Sequence, residues 1–150
     1  MDHLFENIYI DAAADFSAPG QVDARLLEYV RAGIEVVVSF RESEPLATEY
    51  RLLNIDYHHI PIIDFDVPLP NSVASFIEVM ERNRGRTILL HCLAGLGRSG
   101  TMAALYLKYR GMSGAEAVRY VRERRWGAVQ TREQEDFVLN YPFDGLAEDA

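Results

Sequence analysis

The stretch His91-Cys92-Leu93-Ala94-Gly95-Leu96-Gly97-Arg98-Ser99-Gly100 sets five residues between a cysteine and an arginine and threads glycines among them. These residue types suit the transfer of an anionic group. Gly95 and Gly97 let the backbone fold so that successive N–H groups converge on one oxyanion. The Arg98 guanidinium offers a planar fork that matches two phosphate oxygens. In such a field a thiol gives up its proton readily, so Cys92 is expected as a thiolate, the nucleophilic form. Cleaving a phosphate ester also needs a proton for the departing oxygen, and hence a carboxylic acid facing the nucleophile. Asp64 and Asp66, on the loop before Pro68, are the two candidates. Cys92 is the only cysteine, which excludes an internal disulfide framework and a Cys-rich zinc site.

The elements around the stretch place it at a strand-to-helix junction. Residues 87–91 form a short apolar run and residues 101–110 an apolar helical pattern. In open α/β sheets ligands bind beyond the carboxyl ends of strands, where a helix N-terminus presents unpaired N–H groups and the positive end of its dipole. Strands are expected at residues 7–10, 34–40 and 55–62 as well. Helices are expected at 22–32, ended by Gly33, at 45–54 with Pro45 in the first turn, and at 72–82 with Val73, Phe76, Ile77 and Met80 on one face. Capping boxes Ser113/Glu116 and Thr131/Gln134 open two further helices, the last running to about Tyr141. Ser99 is expected as the N-cap of the helix that follows the glycines. The order βαβαβαβααα implies an α/β sandwich, a central, mainly parallel sheet of four to five strands flanked by helices. With 150 residues the chain is expected to be one domain over 1–150, burying roughly 68–70% of its unfolded surface.

Charge bounds the partners. Fifteen basic and 23 acidic residues leave a formal charge of -8, so neither nucleic acid nor an acidic membrane is expected as a partner. No run approaches the ~20 apolar residues of a membrane helix, and residues 1–10 lack a signal-peptide pattern, so a cytoplasmic monomer is expected. Arg119, Arg122, Arg124 and Arg125 interrupt the acidic balance; they read as a solvated helix face or as a rim that attracts an anionic substrate. His58 and His59 read as strand residues, and no metal site or cofactor is expected.

The His-Cys-x5-Arg-Ser stretch resembles the signature of the cysteine-dependent protein tyrosine phosphatase superfamily, and its Gly-Leu-Gly-Arg-Ser-Gly ending is similar to that of small atypical dual-specificity phosphatases. Asn7-Ile8-Tyr9-Ile10 is similar to that family's opening strand, residues 59–65 to its general-acid loop, and residues 127–134 to the segment carrying its water-positioning glutamine. The resemblance covers most of the chain. It implies that residues 92–98 (Cys92, Leu93, Ala94, Gly95, Leu96, Gly97 and Arg98) form the phosphate-binding loop, with Cys92 as nucleophile and Arg98 on the phosphate. It also implies that Ser99 stabilises the leaving thiolate and that His91 orients the loop and, through hydrogen bonds rather than as a base, helps the thiol ionise. The alignment of Pro61 and Phe65 favours Asp64 as general acid and base, with Asp66 the alternative. It gives Gln134 the hydrolytic water, with Gln130 second. Leu93, Ala94 and Leu96 stand where relatives that act on inositol lipids carry lysines, so the implied substrate is a phosphorylated protein or peptide. Phosphotyrosine leads, and phosphoserine and phosphothreonine remain open. The alternatives are a phosphate-binding docking module without turnover, a phosphatase of small non-protein esters, and a rhodanese-type sulfurtransferase. With no second cysteine, oxidised Cys92 is expected to be rescued only through a sulfenamide or an external thiol.

Overall fold

Short β-branched and aliphatic stretches build the middle of the molecule, described here for residues 1–143 of a computed structural model. The elements are β1 (Asp2–Phe5), β2 (Ile8–Asp11), α1 (Gln21–Arg31), β3 (Val36–Ser39), α2 (Ala47–Leu52), β4 (Asp56–His59), α3 (Pro70–Arg82), β5 (Ile88–His91), α4 (Gly97–Tyr109), α5 (Gly114–Arg124) and α6 (Arg132–Asn140). They form one five-stranded sheet in the order β1-β2-β5-β3-β4, parallel except for β1, as a mainly parallel α/β sandwich requires. Every residue of β3 and β5 is buried, because helices cover both faces of the sheet. The side-chain alternation shows it directly. Val36, Val38, Ile88 and Leu90 join the core under α3 to α6, while Val37 and Leu89 join Tyr29 and Tyr50 under α1 and α2.

That topology makes the carboxyl end of β5 a crevice. The chain leaves β2 and β3 toward one face, through α1 and α2, and leaves β5 toward the other, through α4. Neighbouring connections that part to opposite faces open the gap in which doubly wound sheets bind ligands.

Four expectations change. The strand expected at 7–10 is β2, and an antiparallel β1 precedes it, its register broken by an irregularity between His3 and Phe5. The helix expected from Thr101 begins at Gly97, so Arg98 and Ser99 belong to its first turn. Leu96, not Ser99, is the N-cap, and it provides no side-chain cap. Pro45 precedes the first turn of α2, whose N-cap is Leu46. At the end of the chain Thr131 and Gln134 form the expected reciprocal capping box. The one-domain expectation over residues 1–150 extends to 144–150, which lie outside the described residues. No helix among the described residues is long and apolar enough to cross a membrane.

Candidate active site

The loop between β5 and α4 is held by its carbonyls. Leu93 O accepts from Ala13 N at 2.9 Å, and Ala94 O and Gly95 O accept from Nη2 and Nε of Arg125, each at 3.1 Å. Leu96 O accepts from Gly100 N at 3.0 Å and Val129 N at 3.1 Å, and Gly97 O from the Thr101 hydroxyl at 2.6 Å. Five consecutive carbonyls thus bond away from the site. Among the described residues no hydrogen bond takes up the backbone N–H of any residue from Leu93 to Ser99. A buried or half-buried amide without an acceptor is costly. Five of the seven, Gly95 to Ser99, belong to buried or half-buried residues, and the run, in a loop that leads into an uncapped helix start, offers a cradle for an oxyanion.

Two glycines are dictated by space. Gly95 has φ +69°, and a Cβ there would stand 2.3 Å from the Asp11 carbonyl oxygen. A Cβ on Gly97 would stand 2.9 Å from Gln130 Oε1 and 3.1 Å from Gln134 Nε2, so this glycine opens room for two amide side chains above the loop.

Cys92 opens the loop at the end of β5, buried and free. Arg98 is 4% exposed, and its guanidinium is aimed by carbonyls from two other segments, with Nη1 donating to Ile62 O at 3.0 Å and Phe40 O at 3.4 Å. Nη2 lies 3.4 Å from Asp64 Oδ1, while Nε is buried with no partner among the described residues. Ser99 Oγ is also buried and unpartnered. The free amides, the free Arg98 Nε and the free Ser99 hydroxyl are all donors, which is what a bound phosphate and a departing thiolate would occupy.

The loop from β4 to α3 brings Asp64, not Asp66, to Arg98. Asp64 N donates to Glu42 Oε1 at 3.1 Å, and its carboxylate is 41% exposed. Asp66 is exposed, its Oδ1 accepting from Val67 N at 2.8 Å and its carbonyl from Gln134 Nε2 at 3.1 Å. Gln134 is fully buried, and its Oε1 accepts from the amides of Gln130 and Thr131, each at 3.0 Å. It therefore fastens α6 to the acid loop. The Gln130 side chain is exposed and lies over Gly97.

The arginine run divides. Arg125 braces the nucleophile loop and pairs with Asp2 at 2.9 Å; Arg122 bonds the carbonyls of Ala128 and Val129 and pairs with Glu135; Arg124 stacks on Tyr120. A purely solvated helix face, the simpler expectation, is therefore wrong for Arg122 and Arg125. His59 sits in β4 and bonds Arg41 O. His91 ends β5, with its ring 3.0 Å from a buried Glu44. Glu42 and Glu44 are site residues that sequence reasoning missed, and Arg125, read there as helix face or substrate rim, braces the loop from outside. The two glutamates carried one usable signal, since they follow a strand whose carboxyl end borders the crevice. A hollow of about 430 Å³ between α1 and α2 holds none of these groups.

Residues 12–138 match the family model described as the Swiss Army Knife protein, DSP-PTPase phosphatase domain. The chain belongs to that family. It is 33% identical over 103 residues to the probable protein tyrosine phosphatase type IVA A of Dictyostelium discoideum, covering 66% of this chain and 59% of that one. Among solved structures, the active form of the phosphatase Tk-PTP aligns with TM-score 0.69 and 36% identity over 77% of this chain and 82% of its own. Kinase-associated phosphatase, solved with its catalytic-site cysteine changed to serine, aligns with TM-score 0.77 and 27% identity over 87% of this chain and 82% of its own. The fold and the small atypical dual-specificity branch expected from the sequence are thus the ones found.

Proposed function

We propose that the chain is a protein phosphatase that hydrolyses phosphotyrosine, and phosphoserine or phosphothreonine where the pocket admits them, through a phosphocysteine on Cys92. The observation that carries this reading is the row of seven acceptor-free amides beside a buried Arg98 with a free Nε. In the first step the Cys92 thiolate forms a bond to phosphorus as the ester P–O bond breaks. The loop amides and Arg98 hold the three equatorial oxygens, and Asp64 gives its proton to the leaving oxygen. In the second step water bonds to phosphorus and passes a proton to the Asp64 carboxylate. The S–P bond breaks, and the Ser99 hydroxyl donates to the returning thiolate. Gln130 is the better placed of the two glutamines to hold that water, because the Gln134 amide is engaged on three backbone groups. Catalysis is positioning and electrostatic stabilisation by the chain's own residues.

The relatives' names support protein substrates, and so does the acidic balance of the chain, which disfavours polyanionic lipids and nucleic acid. The reading includes a monomer that works in the cytoplasm.

Hydrolysis of p-nitrophenyl phosphate by the purified chain, with and without a chelator, tests the activity and its independence of metal. Cys92→Ser is expected to abolish turnover while retaining binding of inorganic phosphate. Full activity in that variant overturns the phosphocysteine route, and binding without turnover in the wild type replaces the enzyme with a docking module. A phosphopeptide panel then ranks tyrosine against serine and threonine.

A further inference from the structure

The nucleophile loop has a second wall that the steps above do not use. Asp11 ends β2 and lies in register with His91 at the end of β5. The two chains stay together beyond their strands. Ala13 N donates to Leu93 O at 2.9 Å, and the Asp11 carbonyl oxygen lies so close to Gly95 that no Cβ fits between them. Residues 11–13 therefore fix where the first half of the loop sits. They have little of their own to hold them. Ala12 and Ala13 carry only methyl groups, and residues 12–20 form neither helix nor strand before α1 begins.

The anchor comes from α1. Arg25 Nη1 donates to Asp11 Oδ2 at 3.0 Å and to Ala12 O at 2.5 Å, so one guanidinium nitrogen ties a carboxylate to the carbonyl of the next residue. Asp11 Oδ1 accepts from Ala12 N at 2.9 Å, with the Met1 ammonium 3.5 Å away. The Tyr29 hydroxyl, one helical turn after Arg25, stands 3.4 Å from Oδ2; burial and the Asp11 charge push its pKa well above that of a free phenol, so it stays a donor. The Arg25 and Asp11 side chains are 19% and 7% exposed, and salt screens such a pair less than a surface one.

We propose that Arg25 is a positioning residue for the nucleophile loop. It clamps residues 11 and 12 to α1, and they in turn hold Leu93 and Gly95 of the cradle. The proposal rests on the reading of residues 92–98 as the phosphate-binding loop. Arg25 acts indirectly, since its bonds go to residues 11 and 12. Arg125 holds the carbonyls of Ala94 and Gly95 from the end of α5, on the other face of the sheet. The loop thus sits between two arginine clamps, one from each face.

The test uses the intact chain and reads the affinity for inorganic phosphate, the amide NMR signals of the loop, hydrolysis of p-nitrophenyl phosphate and the melting temperature. Arg25→Met keeps the side-chain stem and removes both bonds. It should weaken phosphate binding about fivefold and lower kcat/KM about tenfold, short of the roughly 100-fold of a full 1 Å misplacement because the bond from Ala13 N remains. The Gly95 and Gly97 amide signals should move in the free variant and return toward their wild-type positions at saturating phosphate. Arg25→Lys, whose ammonium can reach the same two oxygens as a point charge, should recover phosphate affinity to within about twofold of the wild type. A merely structural role would lower the melting temperature and leave phosphate affinity and the loop amides unmoved. That result overturns the proposal, and so does a lysine variant no better than the methionine one. If Arg25→Met does not fold, Arg25→Gln carries the test. Its amide keeps a donor for Ala12 O but brings no charge to Asp11, so about threefold weaker phosphate binding is expected and unchanged binding overturns the proposal. A wild type that binds phosphate and hydrolyses nothing would sink the phosphatase reading alone, because affinity and loop amides still report on Arg25. An active enzyme whose phosphate affinity ignores Arg25 would sink only the clamp.

Discussion

The two loops that meet over Arg98 are built in opposite ways. The nucleophile loop exposes only its tip at Leu93 and Ala94, with Cys92, Gly97, Arg98 and Ser99 buried, and each carbonyl from Leu93 to Gly97 is tied to a neighbour. The acid loop from residue 63 to 70 leaves Ile63, Phe65 and Leu69 more than half exposed and is tied by one contact each to Glu42, Gln134 and Arg98. Phe65 adopts φ +62°, a conformation unusual for a bulky side chain, which turns the chain directly after Asp64. A cradle for charge must be rigid, since preorganised dipoles stabilise a transition state because they do not have to turn toward it. A proton donor that must admit a substrate and release a product can be held loosely. The comparison predicts that damage to the first loop is severe and damage to the second is graded.

The severest break is Gly95→Ala. Its Cβ would overlap the Asp11 backbone, and alanine is strained at φ +69°. The loop must shift, and misplacement of about 1 Å costs on the order of 100-fold in rate. Steady-state kinetics should show a fall in kcat of at least about that size, and near-normal kcat would mean that the carbonyl ties do not fix the cradle. Arg125→Ala attacks the same loop from outside by freeing two carbonyls. A loss of about 2–3 kcal/mol in chemical denaturation is expected for removing charged hydrogen bonds, together with weaker binding of inorganic phosphate.

In the acid loop, Asp64→Asn should lower kcat by about 10²–10³-fold on alkyl phosphates, the usual range for a lost general acid, and less on p-nitrophenyl phosphate, whose leaving group needs little protonation. Asp66→Asn should change either rate by less than about threefold, because its carboxylate bonds only the next amide. The reverse order would move the acid to Asp66. Gln134→Ala, which unties α6 from the acid loop, should cost about tenfold in kcat and about 2 kcal/mol in stability.

What the sequence revealed follows the same divide. Cys92, Arg98 and the glycines fall within one short stretch, so spacing alone exposed their chemistry. The braces come from distant segments. Arg125 reaches the loop from 30 residues away, and in the sequence it sits in a run of arginines that reads as helix surface. The start of α4 was hidden because Gly97, Gly100 and a leucine N-cap are poor helix signals. In the proposed mechanism that first turn serves the anion rather than the helix. The β1 hairpin was hidden because Asp2, His3 and Phe5 show neither clean alternation nor an apolar run. Gln134 was found through its capping box, and only the packed structure shows that the same amide also holds the acid loop.

Both loops depend on the turn after β3, and this turn gives the finest test of the contrast. Glu42 is exposed and braces Asp64 N; Glu44 is buried and braces His91. The folded state holds Glu44 below its usual value of 4.5, despite burial, through its bonds to His91 and Tyr50. A carboxylate depressed by folding contributes stability above its unfolded value, and that contribution disappears as pH falls through the folded value. Wild-type melting temperature should therefore drop steeply below about pH 4.5, and Glu44→Gln, already lower at neutral pH, should show a shallower acid slope. Glu42→Gln should melt like the wild type at every pH and lose only a few-fold in kcat, because it removes one exposed bond from the loosely held half. If Glu42→Gln instead destabilises the fold as Glu44→Gln does, the acid loop is part of the rigid frame, and the division between a fixed cradle and a loosely held donor fails.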